Sequence, residues 1–183
     1  MPEPQFTSQQ VATLRTAAEA GQVKVQLTLG RLLKAYPELG DTGEWAKWLY
    51  MAAERGSGDA CWELADVMLE QKDFKRAHVV MTLGATLASP QCLRELGLMQ
   101  LNGIGIPADP QQAFSLFTRA AKCNDAIGQY QLGRCYAKGL GTTANVPLAR
   151  EWFNKAASQG DKNAIAALKA IAVGGFKAAA TLP

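Results

Sequence analysis

A short pattern recurs through this chain at intervals that fit one helical hairpin, and this recurrence restricts the possible folds more than any other feature. Its anchor residues, each just before a helical pattern, are spaced by 35, 32, 36 and 36 residues: Gly21, Gly56, Ala88, Asn124 and Gly160. A small residue stands four positions beyond each anchor, and leucine stands eight positions beyond. A period in this range is typical of stacked repeats, because one hairpin alone cannot bury its apolar side.

One complete copy of the unit lies between the anchors Asn124 and Gly160. Small and apolar residues at helical spacing over 126–137 predict a first helix, A. Glycines in 138–145 end that helix, since glycine tolerates the left-handed conformation that closes a helix, and Asn145 can cap the next one. The pattern over 146–158 then predicts a second helix, B.

The rest of the chain divides in the same way, so we expect one domain over residues 1–183. Thr7 and Gln10 form a predicted capping box for a lone B helix, and such a half unit would cover the apolar end of the stack. The predicted parts are a capping helix at 7–20, repeats at 21–55, 56–87, 88–123 and 124–159, a last helix at 160–173 that ends at two glycines, and a tail at 174–183.

Composition excludes several classes of function. The formal charge of +3 comes without a cluster of lysine and arginine, so nucleic-acid binding is not expected. No apolar run approaches the roughly 20 residues that cross a bilayer, so membrane insertion is not expected either. The first residues show no basic flank followed by an apolar core, which predicts a cytoplasmic protein without a secretory signal.

Few residues are suited to catalysis. His78 is the one histidine, and nucleophilic catalysis would need a base, a nucleophile and an orienting group together. The cysteines lack metal-ligand spacing and are interpreted as reduced thiols: Cys61, Cys92, Cys123 and Cys135. The glycine loops at 102–105 and 138–141 follow helices and lack the lysine of a phosphate loop. We therefore predict no enzyme activity, no metal and no cofactor.

The residues of the complete unit resemble a known family. The patterns Gly-x-x-x-Ala-x-x-x-Leu-Gly-x-x-Tyr, a Gly-x-Gly loop and Trp-Phe-x-x-Ala-Ala-x-x-Gly resemble Sel1-like repeats, relatives of the tetratricopeptide repeats. The resemblance covers about 7–172 and departs in the proline-containing loop at 36–41 and in the shortened loop at 70–73. It implies an all-α, right-handed superhelical α/α solenoid of about four to five helix-turn-helix repeats with half-repeat caps.

The outer positions of the A helices are the candidate binding site. With each anchor counted as position 1, positions 4, 8, 11 and 15 of each unit lie opposite the inward-facing positions at 100° per residue. The resemblance implies that they line the concave surface of the stack. In four successive units they are Lys24, Thr28, Arg31 and Ala35; Asp59, Glu63, Asp66 and Glu70; Gln91, Glu95, Leu98 and Asn102; Ile127, Gln131, Arg134 and Lys138.

Four carboxylates on one helix face repel each other, which lowers the stability of the helix. A function of this face would explain why the chain keeps them. They predict a partner protein or peptide with a basic patch, and Trp62 and Tyr130 would anchor it if they are exposed. A solvated face, and aromatic rings that pack between repeats, are the alternatives.

Two functions share this surface. The first is a non-catalytic adaptor or scaffold, which is what the resemblance implies. The alternative is a bacterial immunity protein that neutralises a toxin by direct binding. An enzyme would instead need a deep pocket with several perturbed titratable groups. The sequence does not determine the oligomeric state, and we expect a monomer.

Overall fold

The computed structural model describes residues 6–180 and the side chains of residues 6–172. Every regular element in this range is helical, which confirms the all-α prediction. The short 3-10 turn Pro37–Leu39 lies between the second and third helices. The helices are α1 Ser8–Glu19, α2 Val23–Ala35, α3 Glu44–Glu54, α4 Gly58–Glu70, α5 Phe74–Thr86, α6 Pro90–Asn102, α7 Pro110–Lys122, α8 Ala126–Lys138, α9 Val146–Ser158 and α10 Lys162–Ala180.

All five anchor residues have a left-handed backbone. The φ angles are 89° at Gly21, 91° at Gly56, 57° at Ala88, 61° at Asn124 and 87° at Gly160. Glycine adopts this conformation without strain and asparagine tolerates it, which explains most of the anchor identities. Each anchor directly follows the C-cap residue of a B helix.

The chain forms two compact units, and the first is Met1–Leu87. Within it each helix packs against the next along the chain, from α1 to α5. The predicted capping box is present at Thr7, whose hydroxyl accepts a hydrogen bond from the amide of Gln10. Val11 and Trp48 are buried in one cluster with Leu29, so α1 covers the apolar side of α2 as predicted.

The second unit is Ala88–Pro183, in which α6 to α10 also pack in chain order. The side chains of Ser89 and Asp109 cap α6 and α7, and both helices begin with proline, whose missing N–H costs nothing there. Phe117 and Phe153 are fully buried and lie against the backbone of Gly97 and Gly133 respectively. Glycine at these positions lets a phenylalanine ring approach the A helix.

The predicted end of the last helix is wrong. We expected the two glycines at 174 and 175 to end it, whereas α10 continues through them to Ala180. Glycine inside a helix costs only about 1 kcal/mol relative to alanine. Alanine, the best helix former, is frequent on both sides of the two glycines, and no proline interrupts α10. The glycines therefore weaken the helix without ending it.

Candidate protein-binding face

The four carboxylates predicted as a binding face lie together on α4 of the first unit. We call Asp59, Glu63, Asp66 and Glu70 the acidic strip. Asp59 and Glu70 are exposed, and the other two are partly exposed. Asp59 lies in the first turn of α4, where a negative charge is favourable next to the helix N-terminus. The remaining three carboxylates have no such compensation from their own helix.

Two cations of α2, the A helix of the preceding repeat, face the acidic strip. Nε of Arg31 lies 2.9 Å from Oε1 of Glu63, and its Nη2 lies 4.0 Å from Oδ2 of Asp59. Nζ of Lys34 lies 3.9 Å from carboxylate oxygens of both Glu63 and Asp66. The acidic strip is thus partly neutralised from within the chain.

The outer positions predicted from the sequence include Arg31 but not Lys34. Arg31 and Lys34 are three positions apart along α2, so they lie on the same side of that helix. This spacing was the signal in the sequence that could have identified Lys34. The combined patch contains four carboxylates and two cations, and its net charge stays negative.

Trp62 is partly buried beside Glu63 on α4, so part of its ring is accessible at the margin of the strip. Tyr130 is only 7% exposed, and its ring packs against Phe153 with a centroid distance of 5.7 Å. Burial also raises the pKa of the Tyr130 phenol. The packing alternative therefore describes Tyr130, and this residue is not an exposed anchor.

The other predicted positions of the second unit are largely occupied by contacts inside that unit. Gln131 is 8% exposed and accepts a 2.9 Å hydrogen bond from Nη1 of Arg134. Glu95 lies 3.0 Å from Nε of Arg94. Leu98 packs against the cluster that contains Phe117. Lys138 is partly buried in the last turn of α8. The exposed charged face is therefore concentrated on α2 and α4.

Other chemistry has little support from the described side chains. In residues 6–172, no group of three or more histidine, cysteine or acidic residues is arranged to hold a metal ion. The thiols there are unbridged, and burial raises the pKa of Cys135 to about 12, away from the reactive thiolate form. In the described part of the chain, no helix is both long enough and apolar enough to cross a membrane.

A family model described as Sel1 repeat matches residues 46–57, 90–125 and 126–161. The last two matches coincide with helix pairs of the second unit. This is a Sel1-like repeat protein. Its fold is an α solenoid of helical repeats, the class to which its structural neighbours belong. Proteins with Sel1 repeats are generally protein-interaction modules and are typically not catalysts.

Two solved structures of Sel1-like repeat proteins are similar to this chain. A Sel1 repeat protein from Oxalobacter formigenes is 26% identical with a TM-score of 0.76, over 90% of this chain and 67% of that one. A protective antigen of uropathogenic Escherichia coli strains, which displays a Sel1-like repeat fold, is 28% identical with a TM-score of 0.79. That match covers 90% of this chain and 37% of the antigen.

The repeats also align with a longer relative. A protein of Neisseria meningitidis serogroup B is 32% identical over 129 residues, which are 68% of this Sel1-like repeat chain. The same alignment covers 27% of the Neisseria protein, so this chain spans about a quarter of that relative's length.

Proposed function

We propose that this protein is a non-catalytic adaptor or scaffold that binds another protein or a peptide through the acidic strip. The observation that carries the proposal is the run of four carboxylates on one accessible side of α4, faced by only two cations from α2. A partner with a basic patch supplies the missing positive charge. Trp62, partly accessible at the margin, adds apolar contact area.

The internal ion pairs do not close this surface to a partner. Three of the four contacts are 3.9–4.0 Å long, and the side chains of Asp59 and Arg31 are about half exposed. Exposed pairs of this kind contribute roughly 0–1 kcal/mol each. Lysine or arginine from a partner therefore exchanges with Arg31 and Lys34 at little cost. Exchange also lets Arg31 and Lys34 turn toward acidic groups of the same partner.

The position of the strip agrees with how such repeats bind. It lies on an A helix, and in tetratricopeptide-like stacks the A helices line the concave surface. Extended or helical peptides bind such surfaces through several side chains at once. Electrostatic complementarity mainly raises the association rate and selects the partner, so the interaction should weaken as salt rises.

A pair of matched charge reversals tests the proposal. The double variant Glu63→Lys and Asp66→Lys reverses the strip, and Glu54→Lys with Glu151→Lys makes the same charge change at exposed sites on α3 and α9. Each protein, immobilised at equal density, is used to capture partners from an extract of the native host, and captured proteins are quantified by mass spectrometry. Circular dichroism checks that all variants stay helical.

We expect a partner that binds the wild type and the control variant and is lost with the strip variant. Purified, that partner should bind the wild type with an affinity that falls as salt is raised. Equal capture by both variants would refute the acidic strip as the binding site. The identity of the partner then distinguishes a scaffold from a toxin inhibitor, since the latter would capture one toxin.

A further inference from the structure

A small pocket with a mixed apolar and polar lining opens on another side of the first unit, where α3, α4 and α5 meet. Its volume is about 210 Å³, and its lining includes Trp45, Tyr50, Leu64 and Met68. Ala46, Val67, Gln71 and Arg76 complete the lining. Tyr50 is 44% exposed at its edge. Nothing in the acidic strip contributes to this lining, because the two sets of residues lie on different sides of α4.

The repeat in the second unit shows what fills the corresponding place. Met68 corresponds to Tyr136, because each lies twelve residues beyond its anchor. Ala46 corresponds to Phe114, because each lies three residues before the buried residue that packs against Gly30 or Gly97. The rings of Phe114 and Tyr136 pack edge to face at a centroid distance of 5.4 Å. The first unit therefore has smaller or more flexible side chains at two positions where the second has an aromatic pair.

A leucine from the loop between helices completes that packing. Leu140, in the loop between α8 and α9, packs against the same cluster as Phe114 and Tyr136. In the first unit, Leu39 from the loop between α2 and α3 packs against the cluster of Val11. The loop between α4 and α5 consists only of residues 71–73 and has no apolar side chain. Among the described residues, no leucine follows α4 to take the place that Leu140 takes after α8.

Size and charge indicate the occupant. A volume of about 210 Å³ is below the 300–1,000 Å³ of typical small-molecule sites and suits a single side chain. Three cations lie within five residues at the start of α5, Lys72, Lys75 and Arg76, and Arg76 lines the pocket. The side chain of Arg76 is 72% exposed although it pairs with Asp73, so a second carboxylate can reach it.

We propose that this pocket docks a turn of a partner protein that carries one leucine-like side chain next to an acidic residue. The partner's leucine takes a place like that of Leu140 and Leu39 in two other repeats. Its carboxylate approaches Arg76 and Lys75. This site and the acidic strip prefer opposite charges, so one partner with both features, or two partners, can bind.

A peptide from the chain itself provides the probe. Residues 36–41, Tyr-Pro-Glu-Leu-Gly-Asp, have an acidic residue on each side of one leucine. The capped peptide is titrated into protein labelled with ¹⁵N at its four tryptophan indoles. A peptide with serine in place of leucine is the control ligand. Trp45 reports on the pocket, Trp62 on the margin of the acidic strip and Trp152 on the second unit, and Trp45→Phe assigns the first resonance.

Variants that fill the pocket give the second comparison. Ala46→Phe and Met68→Tyr introduce the residues of the second unit, each alone, and Ala12→Phe adds the same bulk at an exposed site on α1. Thermal unfolding verifies that each variant is folded. Two independent filling variants keep the test decisive if one of them fails to fold.

We expect a saturable shift of the Trp45 indole resonance with millimolar peptide, and no shift of Trp62 or Trp152. Binding should be at least tenfold weaker for the serine peptide and for either filling variant, and unchanged for Ala12→Phe. The Glu63→Lys and Asp66→Lys variant should bind the peptide normally, which separates this site from the proposed function. The absence of a Trp45 shift, or equal binding by the filling variants, would overturn the proposal.

Discussion

The side-chain amide of Gln159 donates a 2.9 Å hydrogen bond to Oε1 of Gln129, which is only 3% exposed. Gln129 lies five residues beyond its anchor, and Gln26 has the same position in the first unit. Nε2 of Gln26 donates to the carbonyl of Ala18 at 2.9 Å, but its buried Oε1 has no partner. The repeat that contains Gln129 therefore supplies a donor to the oxygen of its buried side-chain amide, whereas the repeat that contains Gln26 supplies none.

Arg55→Gln should supply the missing bond. Arg55 precedes the anchor Gly56, as Gln159 precedes Gly160, and its guanidinium lies against Gly21. A glutamine there can donate to Oε1 of Gln26, which should raise the free energy of unfolding by about 0.5–1.5 kcal/mol. Urea unfolding measures the change. Arg55→Ala removes the guanidinium without adding a donor, so equal stability of the two variants would contradict the explanation.

Ala88→Gly should stabilise the protein, because alanine is strained at a φ of 57°. The left-handed conformation costs an ordinary residue about 1–2 kcal/mol, partly offset by the greater freedom of glycine when unfolded. We expect a net gain of about 0.5–1 kcal/mol in thermal unfolding.

Asn124→Gly is the matched comparison at a φ of 61°. It should instead be neutral or destabilising, since Oδ1 of Asn124 accepts hydrogen bonds from Gln129 and Gln159. A gain in stability at both positions would mean that backbone strain alone decides the effect.

Stability should fall in acid because of Glu44. Arg15 donates two 2.8 Å hydrogen bonds to its carboxylate, and Nε1 of Trp48 donates a third at 3.0 Å. The Arg15 guanidinium and then Trp48 lower the pKa of Glu44 from 4.5 to about 2. A lowered pKa stabilises the folded state fully above pH 4.5, and this contribution is lost as pH falls toward 2.

Glu44→Gln tests this dependence. It should cost about 1–3 kcal/mol at neutral pH, since hydrogen bonds to a charged group are lost. The penalty should shrink as pH falls from 4.5 toward 2, when followed by urea unfolding at several pH values. Glu54→Gln removes an exposed carboxylate from the same helix and should leave the profile unchanged. A penalty that stays constant with pH would contradict this role.

Gly133→Ala should destabilise the second unit although alanine favours helices. A Cβ at this position would lie 2.6 Å from the ring of Phe153, which is fully buried. Overpacking typically costs about 1–3 kcal/mol, more than the roughly 1 kcal/mol of helix propensity gained. The double variant Gly133→Ala with Phe153→Leu should recover stability relative to the sum of the single variants. Strict additivity would show that the two residues do not conflict.

Much of the fold was predictable because its signals are local. The left-handed anchors, the caps at Thr7, Ser89 and Asp109, and the leucine eight residues beyond each anchor all act within one or two helical turns. The end of α10 was not, because the two glycines reduce helix stability by an amount that neighbouring alanines offset. Burial of Tyr130 was left open for a similar reason, since helical position does not say whether Phe153 reaches the ring.

By itself, the sequence determined the repeat, its register and the presence of an acidic run on one side of α4, since these follow from residue spacing and the helical period. Only the tertiary structure decided which charges meet, which rings are covered and where a pocket stays open. Arg31 and Lys34 lie about thirty residues from the carboxylates they contact, and the pocket beside Trp45 arises from a short loop and two small differences between repeats. Contacts between helices depend on the shapes of both partners, which the spacing along one helix does not contain.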